Sequence, residues 1–334
     1  MHGNIPNGNM SSMQTGRTRA HGIVEFSSMG KEANALLRML ENGGLMSSGG
    51  KQMKHIYLNL KRFDISPACG GVNRLASMRE WGREIILRTQ ERLKDWPDTE
   101  FVMFFPEAHL LGAADARSSG SPVKLGCQGV YRADTAIGGN FGAFTSLRTA
   151  NAMREAGCEW ALIGHCEERG AMVALLAEAK ADAQNAAKAI NHTLNQEVLA
   201  AQRAGLSVLY CIGEKIEEQE RWQAVLGAQL DEGLDGADKM RTVIAYEPVW
   251  SIGPGKTPAD KPYIEKVARF VKERTGGMDV VYGGGLKWDN AEMLASIQEI
   301  DGGLIALTRF SGEIGFYPEE YLEIIRNYLE KELF

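Results

Sequence analysis

The sequence lacks the features that mark several classes of protein. No apolar run approaches the roughly 18 residues that a membrane-spanning helix needs. The five cysteines form no CxxC pair, so the sequence indicates neither a zinc ribbon nor a disulfide framework and favours a reducing cytoplasm. Basic residues number 37 against 43 acidic ones, and a net charge of −6 does not suggest a nucleic-acid surface. The first residues also lack the pattern of a secretory signal peptide.

Residues 1–52 differ in composition from the rest of the chain. They are rich in Gly, Ser and Asn. Their five basic and three acidic residues give a charge of +2, so the remainder of the chain, with a total of −6, carries −8. Helical spacing occurs only over Lys31–Glu41, which ends at Gly43-Gly44. We predict a disordered extension over 1–52. A start codon assigned too far upstream is a second interpretation, and a transit peptide is a third.

From Met53 onward, short apolar runs alternate with amphipathic segments. Eight runs have the length and the boundaries of β-strands, namely His55–Leu60, Phe101–Phe105, Leu125–Tyr131, Trp160–Ile163, Ser207–Ile212, Thr242–Tyr246, Met278–Tyr282 and Gly303–Leu307. Helical spacing is found over Glu84–Lys94, Thr149–Ala156, Glu197–Ala204, Glu217–Leu230, Ile264–Arg274, Asn290–Ile297 and Glu319–Leu333. Because apolar strands that alternate with helices are typical of a buried parallel sheet, we predict one (β/α)8 TIM barrel over 53–334.

Side chains capable of chemistry stand at the ends of several predicted strands, where the active sites of such barrels lie. They are Asn59, Lys61, His165, Cys166, Glu167 and Glu247, and a glycine turn that ends at Gly285 follows the seventh strand. A lone histidine or lysine at a strand end is usually structural. The common placement at one mouth is what makes the set a candidate active site.

Longer motifs around these positions resemble the triosephosphate isomerase family over roughly residues 53–330. In chain order they are Gly142-Ala-Phe-Thr145, Ala156-Gly-Cys-Glu-Trp160, Ile163-Gly-His165, Cys211-Ile-Gly-Glu-Lys215 and Ala245-Tyr-Glu-Pro-Val-Trp250 with Gly255-Lys-Thr257. The resemblance implies interconversion of D-glyceraldehyde 3-phosphate and dihydroxyacetone phosphate through a cis-enediolate. It implies no metal and no organic cofactor. It also implies a homodimer in which the loop tip at Gly142–Thr145 enters the partner.

The resemblance also implies a role for each matching residue. Glu247 matches the base, and His165 matches the neutral imidazole that polarises the carbonyl oxygens. Lys61 matches the cation beside the enediolate, and Asn59 matches a neighbouring polar contact. Glu167 matches a carboxylate near Lys61.

Several positions depart from the family's pattern. Cys166 replaces a serine and weakens a hydrogen bond, and Glu168 replaces an arginine and reverses a charge. Gly285 replaces a serine, and Pro258, which has no N–H, replaces an alanine. In the family the serine hydroxyl helps to hold the closed lid, the loop that follows Trp250 and includes Gly253, and the lid amide at position 258 meets the hydroxyl of the tyrosine matched by Tyr282. Both closing contacts are therefore expected to be lost.

The region expected to bind phosphate after the eighth strand differs as well. Ala306 and Leu307 replace two glycines whose amides approach the phosphate, and leucine obstructs such an approach. Arg309 either binds the anion in their place or is only a surface charge. The predicted substrate contacts are Asn59, Lys61, Gly253, Gly285, Ala306, Leu307 and Arg309.

Residues 171–195 are longer than the family requires, and nine alanines over 171–189 predict an added helix near the mouth. Three functions stay open at this point. The first is triose-phosphate isomerisation, and the second is the same chemistry on another aldose or ketose phosphate, such as a four-carbon sugar phosphate. The third is a weakly catalytic binding barrel, against which the intact Glu247 and His165 argue.

Overall fold

Eight parallel strands close into a barrel in the computed structural model, which describes residues 53–252 and 256–330. Each strand pairs with the next along the chain, and the eighth pairs with the first. The strands are β1 (Lys54–Asn59), β2 (Thr99–Phe105), β3 (Val123–Cys127), β4 (Trp160–Ile163), β5 (Ser207–Ile212), β6 (Thr242–Tyr246), β7 (Val280–Tyr282) and β8 (Gly302–Ile305). The predicted (β/α)8 fold is confirmed. The predicted extension over 1–52 lies outside the described residues.

Helices pack on the outside of the barrel. They are α1 (Trp81–Leu93), α2 (Leu110–Ala116), α3 (Ala150–Glu155), α4 (Cys166–Glu178), α5 (Ala183–Arg203), α6 (Trp222–Gly233), α7 (Lys261–Thr275), α8 (Ala291–Ala295) and α9 (Pro318–Leu329). Sequence periodicity misses α2, because its seven residues are too few for a repeating pattern. Across 53–252 and 256–330, the helices include none that is both long and apolar enough to cross a bilayer.

The alanine-rich stretch 171–195 is divided between two helices and does not form one separate added helix. α4 starts directly after β4, and α5 runs without a break through the predicted helix at Glu197. Between them Lys180 adopts a φ of 56°. The side chain of Asp182 then caps α5 by accepting the N–H of Asn185 at 2.9 Å. Alanine favours helix throughout, so the position of this turn depends on the cap.

Alternation along each strand decides which side chains face the mouth of the barrel. Tyr57, Leu162 and Ala245 belong to an apolar cluster inside the barrel, while their sequence neighbours pack outward against the helices. Asn59 and Glu247 lie two positions beyond inner residues, so they face the same way where β1 and β6 end. A shift of the strand register by one residue would exchange the inner and outer faces of a strand. Burial of each large apolar side chain stabilises the fold by about 1.5–3 kcal/mol, so the observed register is strongly favoured.

The opposite end of the barrel holds a charged network. His55 at the start of β1 is buried and hydrogen-bonds Glu100 at 2.9 Å and Asp279 at 3.0 Å. Burial opposes protonation of His55, but the two carboxylates outweigh it and raise its pKa to about 9. This network ties the amino-terminal ends of three strands together, far along the strands from the predicted site.

Candidate active site

Five of the predicted residues form a connected chain of contacts at the mouth. The Lys61 Nζ donates to Glu167 Oε1 at 2.7 Å. The backbone N–H of Glu167 donates to His165 Nδ1 at 3.2 Å, and His165 Nε2 lies 3.1 Å from Glu247 Oε1. The backbone N–H of Cys166 donates to Glu247 Oε2 at 2.9 Å. Residues that follow β1, β4 and β6 thus meet in one site.

The start of α4 orients the imidazole of His165. His165 is the N-cap of α4, and its Nδ1 accepts the N–H of Glu167. An accepting Nδ1 carries no proton, so the proton of the neutral ring is on Nε2, which faces Glu247. The carboxylate of Glu167 is 3.6 Å from Nδ1 and is bonded to Lys61 instead. His165 therefore presents a donor N–H to the site.

Glu247 is only 2% exposed. Burial raises the pKa of its carboxyl group, against the opposing influence of His165 and the N–H of Cys166. A carboxylate with a raised pKa is a stronger base. Two glycines leave room for it, since a Cβ on Gly213 would lie 2.1 Å from the Glu247 carbonyl oxygen and one on Gly283 would lie 2.8 Å from its Cγ.

Gln128 holds the segment that contains Lys61 in place through hydrogen bonds. The sequence did not predict this role. Lys61 has a left-handed φ of 41°, and its N–H donates to Asn59 Oδ1 at 3.1 Å. Gln128 Nε2 donates to the carbonyl of Lys61 at 3.0 Å and to Asn59 Oδ1 at 3.3 Å. Gln128 directly follows β3, and a polar residue at a strand end was the sign that could have revealed it.

Glu214 is a second buried carboxylate that the sequence reasoning assigned no role. Its Oε1 accepts hydrogen bonds from Tyr246 at 2.9 Å, Trp250 at 2.8 Å and Tyr263 at 3.0 Å. Burial raises its pKa, and these three donors oppose the increase. Trp250 begins the segment that the family resemblance implies is the lid, so Glu214 anchors the start of that segment. Glu214 lies inside a motif that carries the family resemblance.

The residues after β7 and β8 that are predicted to contact the substrate lie at the same mouth of the barrel, because these strands stand between β6 and β1. Gly285 has a φ of 99°, and its carbonyl accepts from Asn290 Nδ2 at 2.9 Å. Ala306 and Leu307 follow β8 and are half-buried. Gly253 lies outside the described residues.

The start of the lid has a partner on β7. The Tyr282 hydroxyl is hydrogen-bonded to the side chain of Ser251, and burial raises the pKa of Tyr282 to about 12. Pro258 is exposed and has no N–H to offer that hydroxyl. The tyrosine therefore contacts the first part of the lid instead of the position that the resemblance implies.

Arg309 is held by Glu320 at the start of α9 and by Tyr317 just before it. Its Nε donates to Glu320 Oε1 at 2.8 Å, and its Nη2 donates to the same oxygen. The guanidinium carbon lies 4.0 Å from the centroid of the Tyr317 ring, a cation–π contact. This arrangement favours the second interpretation of Arg309, a surface charge that stabilises the loop, over a contact with the substrate anion.

We expect Arg309→Ala to lower the melting temperature only slightly, because it removes one solvent-screened ion pair and one cation–π contact. The inhibition constant of inorganic phosphate should change less than about twofold. Arg326→Ala on α9, which loses a weak pair with Glu330 at 3.9 Å, is the matched control. Phosphate inhibition about tenfold weaker in Arg309→Ala alone would place the guanidinium on the anion.

One ligand atom each from His165, Cys166 and Glu247 lie within 4.8 Å of one another, as in a metal site. Metal ligands must be deprotonated and must offer a lone pair. The lone pair of His165 Nδ1 is already used by Glu167, and burial, with the charge of Glu247, raises the pKa of Cys166 to about 12. The three groups therefore fit proton transfer better than metal binding.

Two cavities reach this site. One of about 570 Å³ is lined by Lys61, Gln128 and His165, among others. The other, of about 710 Å³, begins at Cys166 and Glu247 and extends between α4, α5 and α6. Both have the size of small-molecule sites.

Comparison with known proteins agrees with the fold and the site. The family model described as triosephosphate isomerase matches residues 76–327. The triosephosphate isomerase of Rhodopirellula baltica is 36% identical over 63% of this chain and 79% of its own, and that of Halorhodospira halophila is 34% identical over 72% and 91%. The crystal structure of triosephosphate isomerase from Bartonella henselae aligns with a TM-score of 0.60 and 25% identity over 82% of this chain and 98% of its own. The chain belongs to the triosephosphate isomerase family.

Proposed function

We propose that this protein interconverts D-glyceraldehyde 3-phosphate and dihydroxyacetone phosphate, with Glu247 as the base. The observation that carries the assignment is the distance of 3.1 Å between Oε1 of the buried Glu247 and Nε2 of His165. The start of α4 occupies Nδ1 of His165, so the imidazole proton is on Nε2. Membership of an isomerase family supports the same chemistry. Five free cysteines support a reducing cytoplasm as the compartment, with central carbohydrate metabolism as the setting.

The reaction moves one proton between two adjacent carbons. Glu247 takes the proton from the carbon beside the carbonyl, the C–H electron pair forms a carbon–carbon double bond, and the carbonyl electrons move to oxygen. His165 Nε2–H and Lys61 Nζ donate to the two oxygens of the resulting enediolate. Glu247 then returns its proton to the neighbouring carbon. The hydroxyl proton passes between the oxygens through His165, so protons and electrons balance.

The substrate is tested by comparing kcat/KM for triose phosphates with that for four-carbon aldose and ketose phosphates. We expect the triose phosphates to be preferred, because the proton-transfer residues are complete. Faster turnover of a four-carbon substrate would contradict this and would assign Ala306 and Leu307 to a changed substrate pocket. If deuterium from D2O exchanged into none of the sugar phosphates, only a binding role would remain.

A homodimer is part of the same proposal. Ile137 and Phe141, in the segment between β3 and α3, are 109% and 90% exposed, and Phe141 has a φ of 54°. Large apolar side chains at the tip of a loop are costly in water. The cavity beside Lys61 has the apolar walls Phe63 and Val72. A second copy's loop tip would bury both surfaces.

We expect Phe141→Asp to convert the dimer to a monomer at micromolar concentration, because it puts a charge into the proposed contact. Light scattering coupled to size-exclusion chromatography measures the mass. Leu175→Asp, at a residue 68% exposed on α4, is the matched control and should leave the mass unchanged. A wild-type protein that is monomeric, or a Phe141→Asp variant that stays dimeric, would contradict the proposed interface.

A further inference from the structure

Glu168 on α4 stands where the family has an arginine, and the proton transfer described above does not use it. Its Oε2 accepts the N–H of Gly164 at 2.6 Å. The next residue, Arg169, donates from Nε to the carbonyl of Gly164 at 2.9 Å. Gly164 has a φ of 80° and immediately precedes His165. The N–H and the carbonyl of Gly164, the residue before His165, are therefore both hydrogen-bonded to side chains of α4.

Glu197 on α5 is the partner of Glu168. It is 5% exposed, its buried Oε2 accepts no hydrogen bond from the other described residues, and its carboxyl group lies within hydrogen-bonding reach of that of Glu168. Two carboxyl groups form such a bond only if one of them carries a proton. Burial, the charge of Glu168 and the bond between them raise the pKa of Glu197 to about 9, and burial raises that of Glu168. At neutral pH the pair shares one proton.

Three arginines lie close enough to this pair of carboxyl groups to favour their charged forms. Arg132 and Arg148 come from the segment after β3, and Arg169 comes from α4 itself. Gly129, with a left-handed φ of 135°, lies beside two of these groups, because a Cβ there would lie 3.2 Å from Arg148 Nη2 and 3.7 Å from Glu168 Oε1. The arginines lower both pKa values, but burial outweighs them at Glu168, and burial together with Glu168 outweighs them at Glu197.

We propose that Glu168 and Glu197, sharing one proton, are positioning residues that hold the turn at Gly164 and so keep His165 Nε2 at Glu247. Loss of the proton would leave two carboxylates side by side in a buried place. Their repulsion would separate α4 from α5 and turn the imidazole away from the base. The inference rests on the proposed function, because its main readout is catalysis by His165 and Glu247.

The test is the pH dependence of kcat in the wild type and in Glu197→Gln, between about pH 7 and pH 10. Glutamine cannot lose a proton, but its amide still donates to Glu168. Wild-type kcat should fall about tenfold above pH 9, while KM changes less than about twofold, because Lys61 and Asn59 are not displaced. In Glu197→Gln the alkaline decrease should be absent. Glu178→Gln, at the exposed end of α4, should behave as the wild type.

Stability has a predictable sign as well. The pKa of Glu197 is raised from 4.5 to about 9 in the folded state, so the folded protein binds the proton more tightly than the unfolded chain. This contribution is complete below 4.5 and is lost as the pH rises toward 9. The melting temperature of the wild type should therefore fall over this range by more than that of Glu197→Gln.

An alkaline decrease that persists in Glu197→Gln would overturn the proposal, as would one that depends on protein concentration and follows dissociation of the dimer. If Glu197→Gln does not fold, Glu168→Gln removes the same repulsion and should also abolish the decrease. Failure of the proposed function looks different. In that case the wild type shows no triose-phosphate turnover, or Glu247→Gln remains active.

Discussion

Glu247→Gln should lower kcat by about 10³- to 10⁴-fold, because an amide cannot take the proton from carbon. The effect should be the same in both directions of the reaction, since one carboxylate serves both proton transfers. KM should change little, because the substitution leaves the proposed substrate contacts of Lys61 and Asn59 in place. The substitution keeps the side-chain volume and removes a buried charge, so the melting temperature should not fall. Steady-state rates and thermal unfolding measure the two quantities.

Glu214→Gln is the matched control for that experiment. Glu214 is also a fully buried carboxylate at a strand end, but it accepts three hydrogen bonds and faces the start of the lid. Its replacement should lower kcat by less than about tenfold, through a less well anchored lid. Equal losses in the two variants would mean that Glu247 matters for structure and is not the base.

His165→Asn should lower kcat by about 10²- to 10³-fold, because it removes the donor that faces the developing enediolate. Asparagine is a good N-cap, and its side-chain oxygen can still accept the N–H of Glu167. The start of α4 should therefore be preserved and the melting temperature should stay near that of the wild type. The combination of lost activity and retained stability separates the two roles of this residue.

His165→Ala completes the pair of variants. It removes both the donor and the cap, so it should lose activity to a similar extent and also about 1 kcal/mol of stability. A His165→Asn protein that keeps wild-type kcat would exclude the imidazole as a catalytic donor. A His165→Ala protein as stable as His165→Asn would mean that the cap contributes nothing.

The order of strands and helices could be predicted because it depends on local periodicity. β4, β5 and β6 have the predicted bounds, since each is a short apolar run with clear boundaries. β3 ends at Cys127, earlier than expected, because Gly129 takes a φ of 135° that no strand adopts. The break between α4 and α5 was missed, since alanine favours helix on both sides of it.

The sequence by itself determined the barrel, the family and the location of Lys61, His165 and Glu247 at strand ends. Periodicity and motifs are properties of neighbouring residues, so one chain is enough to read them. Only the tertiary structure decided which distant groups are partners. Gln128 is 67 residues from Lys61, and Glu214 is 49 residues from Tyr263.

Glu197 shows the physical reason for that division. In the sequence it is one carboxylate in an amphipathic helix and gives no sign of function. Folding buries it beside Glu168, and only there does the cost of a second buried charge make a shared proton favourable. Burial and proximity, which set protonation and partners, arise only when the barrel closes and brings α4 and α5 together at the mouth.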